Sequence, residues 1–276
     1  MICVMKWRAF AQRYASSATV KNFCLPAQTH VPMLRSIKQL YGERLGTSDG
    51  EIGHVKDFYF DDQKWGVRYV VVDTGLWLAG RLVLISPHAF GDFYKYDRRL
   101  LVELTRKQIE NSPPIESHKP VSRQYEEAYN HFYGWPAYWD GLELWGGVGY
   151  PVFPSPLCRP SMAEGNCGGL SNGDDPHLWS TKCTADYEIH AKNGLIGHVV
   201  DFMIDDKTWA VRYLVVETGH WYYGKEIVLS PGDIDRISYE ESAVFVNVTK
   251  EAVREAAEYH MPRAQYHDAR ELRTGV

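Results

Sequence analysis

No stretch of this 276-residue chain holds the ~18 consecutive apolar residues of a membrane-crossing helix, so no such span is read from it. Cysteine is sparse and unpaired. Cys3, Cys24, Cys158, Cys167 and Cys183 make an odd, scattered set with no CxxC spacing, which argues against a thiolate zinc site. A reducing, cytoplasmic setting fits that pattern, peripheral to the inner membrane at most. Basic residues show no excess: 30 Lys and Arg against 35 Asp and Glu give a net charge of −5, which disfavours a general nucleic-acid binder. P-loop and GxGxxG segments are missing, as are the His/Glu motifs of metalloenzymes, and Ser86-Pro87 and Ser230-Pro231 have no nucleophile setting such as GxSxG. The expectation is a protein without enzymatic activity, catalytic residues, bound metal or cofactor.

What is present is a sentence written twice. "DGEIGHVKDFYFDD" starts at Asp49, and "NGLIGHVVDFMIDD" starts at Asn193. Gly50–Pro87 aligns without gaps on Gly194–Pro231 at a constant offset of 144, with 21 of 38 positions identical. Neither repeated segment contains a cysteine, so disulfides do not staple the units. Two copies are a duplication; a solenoid needs at least ~3 stacked repeats.

Each copy reads as β. Gly50, Gly53, Gly194 and Gly197 belong to turns of the Asp-Gly and Asn-Gly type. Two strands follow, joined by the polar turn "DDQK" or "DDKT", then a third strand ending at Ser-Pro, then "LLVEL" or "VFVNV". The fold class is therefore mainly β, two small barrels each followed by a short helix. Thr105 is the expected cap of the first helix, with Gln108 completing a capping box; Thr249 caps the second. Pairing Phe60 with Trp65 across the turn sets Asp57 opposite Arg68, and Asp201 opposite Arg212. Each couple is expected to form a structural ion pair unless a bulge shifts the register. The matched His54 and His198 are candidate ligands or proton carriers, but no further Cys or His recurs with them, so the structural reading is preferred. Asp61, Asp62, Asp205 and Asp206 read as turn acids, since a calcium loop needs a longer ligand series. "VRYVVVDTG" is apolar on both faces, which calls for a covering on its outer side. Packing between the copies or homodimerisation is expected, with Trp65, Trp77, Trp209 and Trp221 as interface anchors.

The order "DGE-IG-V-D-F--DD----VRY-VV-TG------VLISP", followed by a strand and "LT--QI--SPP", resembles the PRC-barrel domain. That barrel occurs in the photosynthetic reaction-centre H subunit and in a ribosome maturation factor. The layout is similar to tandem PRC-barrel proteins of bacteria, whose openings like "MLRSIKQL" imply a start at Met33. The H subunit's membrane helix and the ribosome factor's preceding domain are not matched by residues in this chain, so neither role carries over residue by residue. What the resemblance implies is a protein-docking barrel, twice.

The domains then run as an N-terminal extension over 1–32, a barrel over 33–114, a linker over 115–179, a barrel with its helix over 180–261, and a tail over 262–276. The extension is basic and acid-free, as in an organelle presequence; the plainer reading makes it disordered or not native. The linker is dense in Tyr, Trp, Gly and Pro, so irregular chain is expected, partly docked on a barrel and disordered over 155–176. For function, the leading expectation is a non-enzymatic interaction or assembly module with an unidentified protein partner. The alternatives are an accessory of a membrane electron-transfer complex with peripheral membrane association, and an RNA- or ribosome-associated factor.

Overall fold

In chain order the elements are β1 (Leu34–Ser36), α1 (Ile37–Leu40), β2 (Arg44–Thr47), β3 (Gly50–Asp61), β4 (Val67–Asp73), β5 (Leu82–Ile85), β6 (Leu100–Leu101), α2 (Arg106–Glu110) and α3 (Arg123–Tyr133). Then come β7 (Leu178–Ser180), α4 (Thr181–Thr184), β8 (Glu188–Ala191), β9 (Gly194–Asp205), β10 (Val211–Thr218), β11 (Glu226–Leu229), β12 (Ile234–Ser238), β13 (Ala243–Val246) and α5 (Lys250–Ala257). The structure is a computed structural model that describes residues 33–90, 100–113, 121, 123–152, 178–222 and 224–257. The expectations for 1–32, for 155–176 and for the tail 262–276 lie outside the described residues.

The fold is mainly β, two small barrels from an internal duplication. One sheet runs β5-β4-β3-β2-β6 and the other β11-β10-β9-β8-β13-β12. In each, antiparallel hairpins are closed by a parallel pairing, β2 with β6 and β8 with β13. Phe58, Phe60, Val70 and Val72 fill the first interior and Phe202, Ile204, Leu214 and Val216 the second, while β4 is buried on both faces from Val67 to Val72. Each such side chain contributes about 1.5–3 kcal/mol by leaving water. Thr105 and Gln108 form the capping box of α2. The Thr249 hydroxyl accepts from the Ala252 amide at 3.3 Å at the start of α5.

The leading strand of each half lies in the other half's sheet. β1 pairs with the end of β9, Leu34 opposite Asp205 and Ser36 opposite Met203. β7 pairs with the end of β3, Leu178 opposite Asp61 and Ser180 opposite Tyr59. Both pairings obey the 144-residue offset, so the halves are related by an internal two-fold.

The expected hairpin register is corrected. Asp61 N–H donates to Gly66 O at 3.1 Å, which closes the loop one residue later than expected, with Trp65 at φ 55°. Phe60 then faces Val67 and Tyr59 faces Tyr69, leaving Arg68 as the extra residue of a bulge. Asp57 lies opposite Val71 instead of Arg68. The second half repeats this: Arg212 is bulged between Val211 and Tyr213, and Asp201 lies opposite Val215.

The second glycine of each expected turn is also corrected. Gly50 and Gly194 do begin strands after two-residue turns, at φ 146° and 127°. Gly53 and Gly197 lie within β3 and β9, opposite Leu45 and Ile189. A Cβ at Gly53 would sit 2.0 Å from Asp73 O, and one at Gly197 would sit 1.9 Å from Glu217 O. Only a residue without a side chain lets these strands approach so closely. Gly53→Ala and Gly197→Ala are each expected to cost about 1–3 kcal/mol by overpacking. The urea midpoint of unfolding measures it; a midpoint unchanged in both variants would contradict the close approach.

Candidate functional site

The duplicated polar residues converge where the two halves meet. Asp57 accepts from Ser180 Oγ at 2.5 Å, Thr181 Oγ1 at 3.0 Å and the Lys182 amide at 3.1 Å. Asp201 accepts from Ser36 Oγ at 2.5 Å and the Lys38 amide at 3.0 Å. Each aspartate thus holds the first turn of the short helix that opens the other half. A carboxylate aimed at unpaired helix amides supplies acceptors that these groups otherwise lack. Burial raises the Asp201 carboxyl above its usual range, with the Ser36 and Lys38 bonds pulling the other way. Neither aspartate bonds an arginine, so the expected couples with Arg68 and Arg212 are replaced by this clasp.

Trp65 and Trp209 flank the same axis. The Val67 amide donates to Trp209 O at 2.9 Å, and the Val211 amide donates to Trp65 O at 2.7 Å, around an antiparallel bridge between Gly66 and Ala210. The Phe60 and Phe202 rings meet across it at 5.3 Å. Trp77 is elsewhere, half-buried, with the Arg106 guanidinium 4.5 Å from its ring centre. Trp221 belongs to the 3-10 turn His220–Tyr222. The histidines do not converge on an ion site: His54 faces Asp73 across β3–β4, while half-buried His198 lies 3.8 Å from Glu217. No cluster of three or more potential metal ligands occurs among the described residues.

Both arginines pair with the loop aspartate. Arg68 Nε donates to Asp61 Oδ2 at 2.6 Å, and Arg212 Nη2 donates to Asp205 Oδ2 at 3.0 Å. The same aspartates accept loop amides, Lys64 N at Asp61 and Lys207 N and Thr208 N at Asp205. One acid therefore shapes the turn and neutralises the bulged cation.

Here the symmetry ends. The Arg68 side chain is 0% exposed and that of Arg212 is 47% exposed. A Cβ at Gly66 would lie 2.8 Å from the Arg68 guanidinium carbon, so glycine makes room for that group to fold inward. The second half has Ala210 there. Linker residues then seal Arg68. Tyr138 lies 3.9 Å from its guanidinium carbon and Trp145 4.8 Å, and Arg68 Nη1 donates to Leu144 O at 2.7 Å. Lys64 Nζ donates to the carbonyls of Tyr138, Gly141 and Glu143 at 2.7–3.1 Å. Trp145 Nε1 donates to Thr208 O at 2.8 Å, tying the linker to the second half as well.

The linker is corrected in one respect: 123–133 is a helix. Tyr125, Tyr129 and Tyr133 recur every fourth residue. Gly134 at φ 72° ends it in a Schellman motif, with Trp135 N–H donating to Asn130 O at 2.9 Å. Fully buried Tyr129 stacks edge-on against Tyr69, donates to Leu84 O and accepts from the Ser86 amide. At the other end, the His88 Nδ1 lies 2.8 Å from Val152 O, and the His88 ring packs edge-on against Trp145. Burial pushes His88 down to about 4.

The signal for Ser36 and Ser180 was present in the sequence, because "LRSIK" and "LWSTK" share Leu, Ser and Lys at the same 144-residue offset, just outside the compared block.

Two predictions follow from charge burial. Asp61→Ala should cost about 3–5 kcal/mol because it strands a buried guanidinium, whereas Asp205→Ala, beside an exposed one, should cost well under that. Denaturant titration of both variants checks the inequality; equal losses would mean that the loop bonds dominate. For His88, a folded value of about 4 against an ordinary 6.5 means that the unfolded chain binds more protons between the two. Stability should fall as pH drops from about 6.5 to about 4, and His88→Phe should flatten that slope in unfolding measured at pH 7 and pH 5.

Two comparisons with known proteins match parts of this chain. A stretch of 103 residues, 37% of this chain, is 28% identical to an uncharacterized protein of Deinococcus radiodurans; the match spans about a third (36%) of that relative's length. The PRC-barrel domain matches residues 35–109 and 189–253, one match to each sheet and together just over half of the chain. With two such barrels clasped through Asp57 and Asp201, the chain belongs to the PRC-barrel domain family.

Proposed function

We propose that this protein is a non-enzymatic interaction or assembly module, a rigid pair of barrels that presents apolar loop residues to a protein partner. The observation that carries the reading is how its polar and apolar groups are divided. The carboxylates repeated in both halves are committed to helix caps, turns and ion pairs. Large apolar side chains stand in solvent instead: Leu76 and Leu142 are fully exposed, on a loop of the first barrel and on the linker that covers it. A large apolar side chain left in water on a loop of a rigid scaffold is available for contact with a protein partner. In the cavity beside Asp201, about 240 Å³ and lined also by Ser36, Lys38, Gln39, Val200, Val215 and Glu226, the Ser36 hydroxyl and the Asp201 carboxylate bond each other and cap α1.

The test is in-cell photocrosslinking from residue 76 or 142, with residue 51, an exposed polar position of β3, as control. A discrete protein adduct from 76 or 142 and none from 51 is the expected outcome. No adduct from either position, or identical adducts from all three, would sink the reading. Adducts confined to the membrane fraction would favour the electron-transfer accessory, and comigration with ribosomal particles lost at raised salt would favour the RNA-associated factor.

A further inference from the structure

β5 and β11 hold equivalent places, each the outermost strand at one end of its sheet. The Thr218 amide donates to Lys225 O at 2.9 Å, so Lys225, Ile227 and Leu229 bond toward β10. Glu226 and Val228, between them, turn their N–H and C=O groups to the outer edge. The first barrel caps the same edge with its own chain: Tyr129 on α3 donates to Leu84 O at 2.8 Å and accepts from the Ser86 amide at 3.2 Å. Leu84 and Ser86 correspond to Val228 and Ser230 at the 144-residue offset. On β11 the backbone groups of Glu226 and Val228 have no such partner among the described residues, and Val228 is 37% exposed against 2% for Leu84. The edges differ in charge as well. Lys56 and Leu82 beside the first become Val200 and Glu226 beside the second, and both changes make the second more acidic. Glu226 is exposed, has no ion-pair partner among the described residues and lines the same cavity as Asp201. Lys38 lines that cavity too, but its counterpart Lys182 leaves the difference between the edges unchanged.

We infer that the outer edge of β11 takes an antiparallel strand from a protein partner, with an apolar residue opposite Val228 and, two residues further along that strand, a lysine or arginine opposite Glu226. The inference rests on the interaction-module reading and names the surface and the chemistry of the partner. Strand addition gives the outward main-chain groups of Glu226 and Val228 their bonds. Side chains of directly opposed residues share one sheet face, so the partner's apolar residue falls beside Val228 and its cation beside the Glu226 carboxylate. A second copy of this chain fits the edge less well. Pairing β11 with its own copy about Glu226 opposes two carboxylates, and pairing about Val228 calls on the Ser230 amide, which already donates to Asp233 Oδ2 at 3.3 Å.

Amide NMR shifts of the full chain, titrated with three capped peptides, test the assignment. The probes are Thr-Thr-Val-Thr-Lys-Thr-Thr, the same peptide with Glu in place of Lys, and the lysine peptide N-methylated at its Val. The lysine peptide should give saturable shifts over residues 226–230 and none over 82–86. The glutamate peptide should bind about threefold or more weakly, and the N-methylated one about tenfold more weakly. Val228→Pro removes an outward N–H and no bond to β10, so it should abolish binding while leaving the amide shifts of β9 in place. No saturable shift at millimolar peptide, or equal binding of the three peptides, would overturn the inference. So would shifts over 226–230 that follow dilution of the protein without peptide, since a second copy would then hold the edge. Crosslinked adducts from residue 76 or 142 without peptide binding at β11 would end this inference and leave the interaction module standing; peptide binding without such adducts would do the opposite.

Discussion

The architecture depends on a buried carboxylate placed to serve a neighbour. Asp57 and Asp201 each sit on a β-strand of one half and accept the side-chain and backbone donors that open the other. A buried acid without such donors would cost several kcal/mol, so each half is completed by the other in a strict sense. The two bonds between the Trp65–Val67 and Trp209–Val211 segments extend the same reciprocity to the backbone. The result is an isologous interface of the kind made by two identical subunits, here carried by one chain.

On that symmetric base the chain builds an asymmetric molecule. A single atom group decides where the symmetry breaks: the missing methyl at Gly66 lets Arg68 turn inward, and the alanine at 210 accompanies an arginine that stays in solvent. Once inward, the guanidinium needs partners, and Asp61, Leu144 O and the rings of Tyr138 and Trp145 provide them. The linker is thereby held as part of the first barrel's wall. A buried ion pair needs its donors met: Arg68 Nε and Nη1 are bonded, while Nη2 has no hydrogen bond among the described residues and the guanidinium lies against the two rings.

Much of this was legible in the sequence. The 144-residue offset, the strands and the Thr105–Gln108 capping box could be read because hydrophobic alternation and turn chemistry are local. The ion pairs were misread for a reason equally local in origin. A left-handed Trp65 and a bulge at Arg68 move the register, and no residue type announces either. The clasp is not legible locally, because its two ends are more than 120 residues apart and its serines lie outside the densely repeated block that begins at Gly50. The linker helix was hidden by averaging: the segment is rich in Pro and Gly, but 121–133 contains neither, and its tyrosines repeat at i, i+4 and i+8.

The exchange of leading strands also sets an order of events during synthesis. Ser36 leaves the ribosome about 167 residues before its partner Met203. At ~5–20 residues per second, that is a wait on the order of ten seconds. Within that interval, from Tyr59 to its partner Ser180 (180 − 59 = 121 residues), the first barrel exposes the strand edge at Tyr59–Asp61 that residues 178–180 will later occupy. An unpaired edge is a template for wrong partners. The nascent protein therefore passes through its most vulnerable state between the two barrels, and arrival of the second barrel ends that exposure for both.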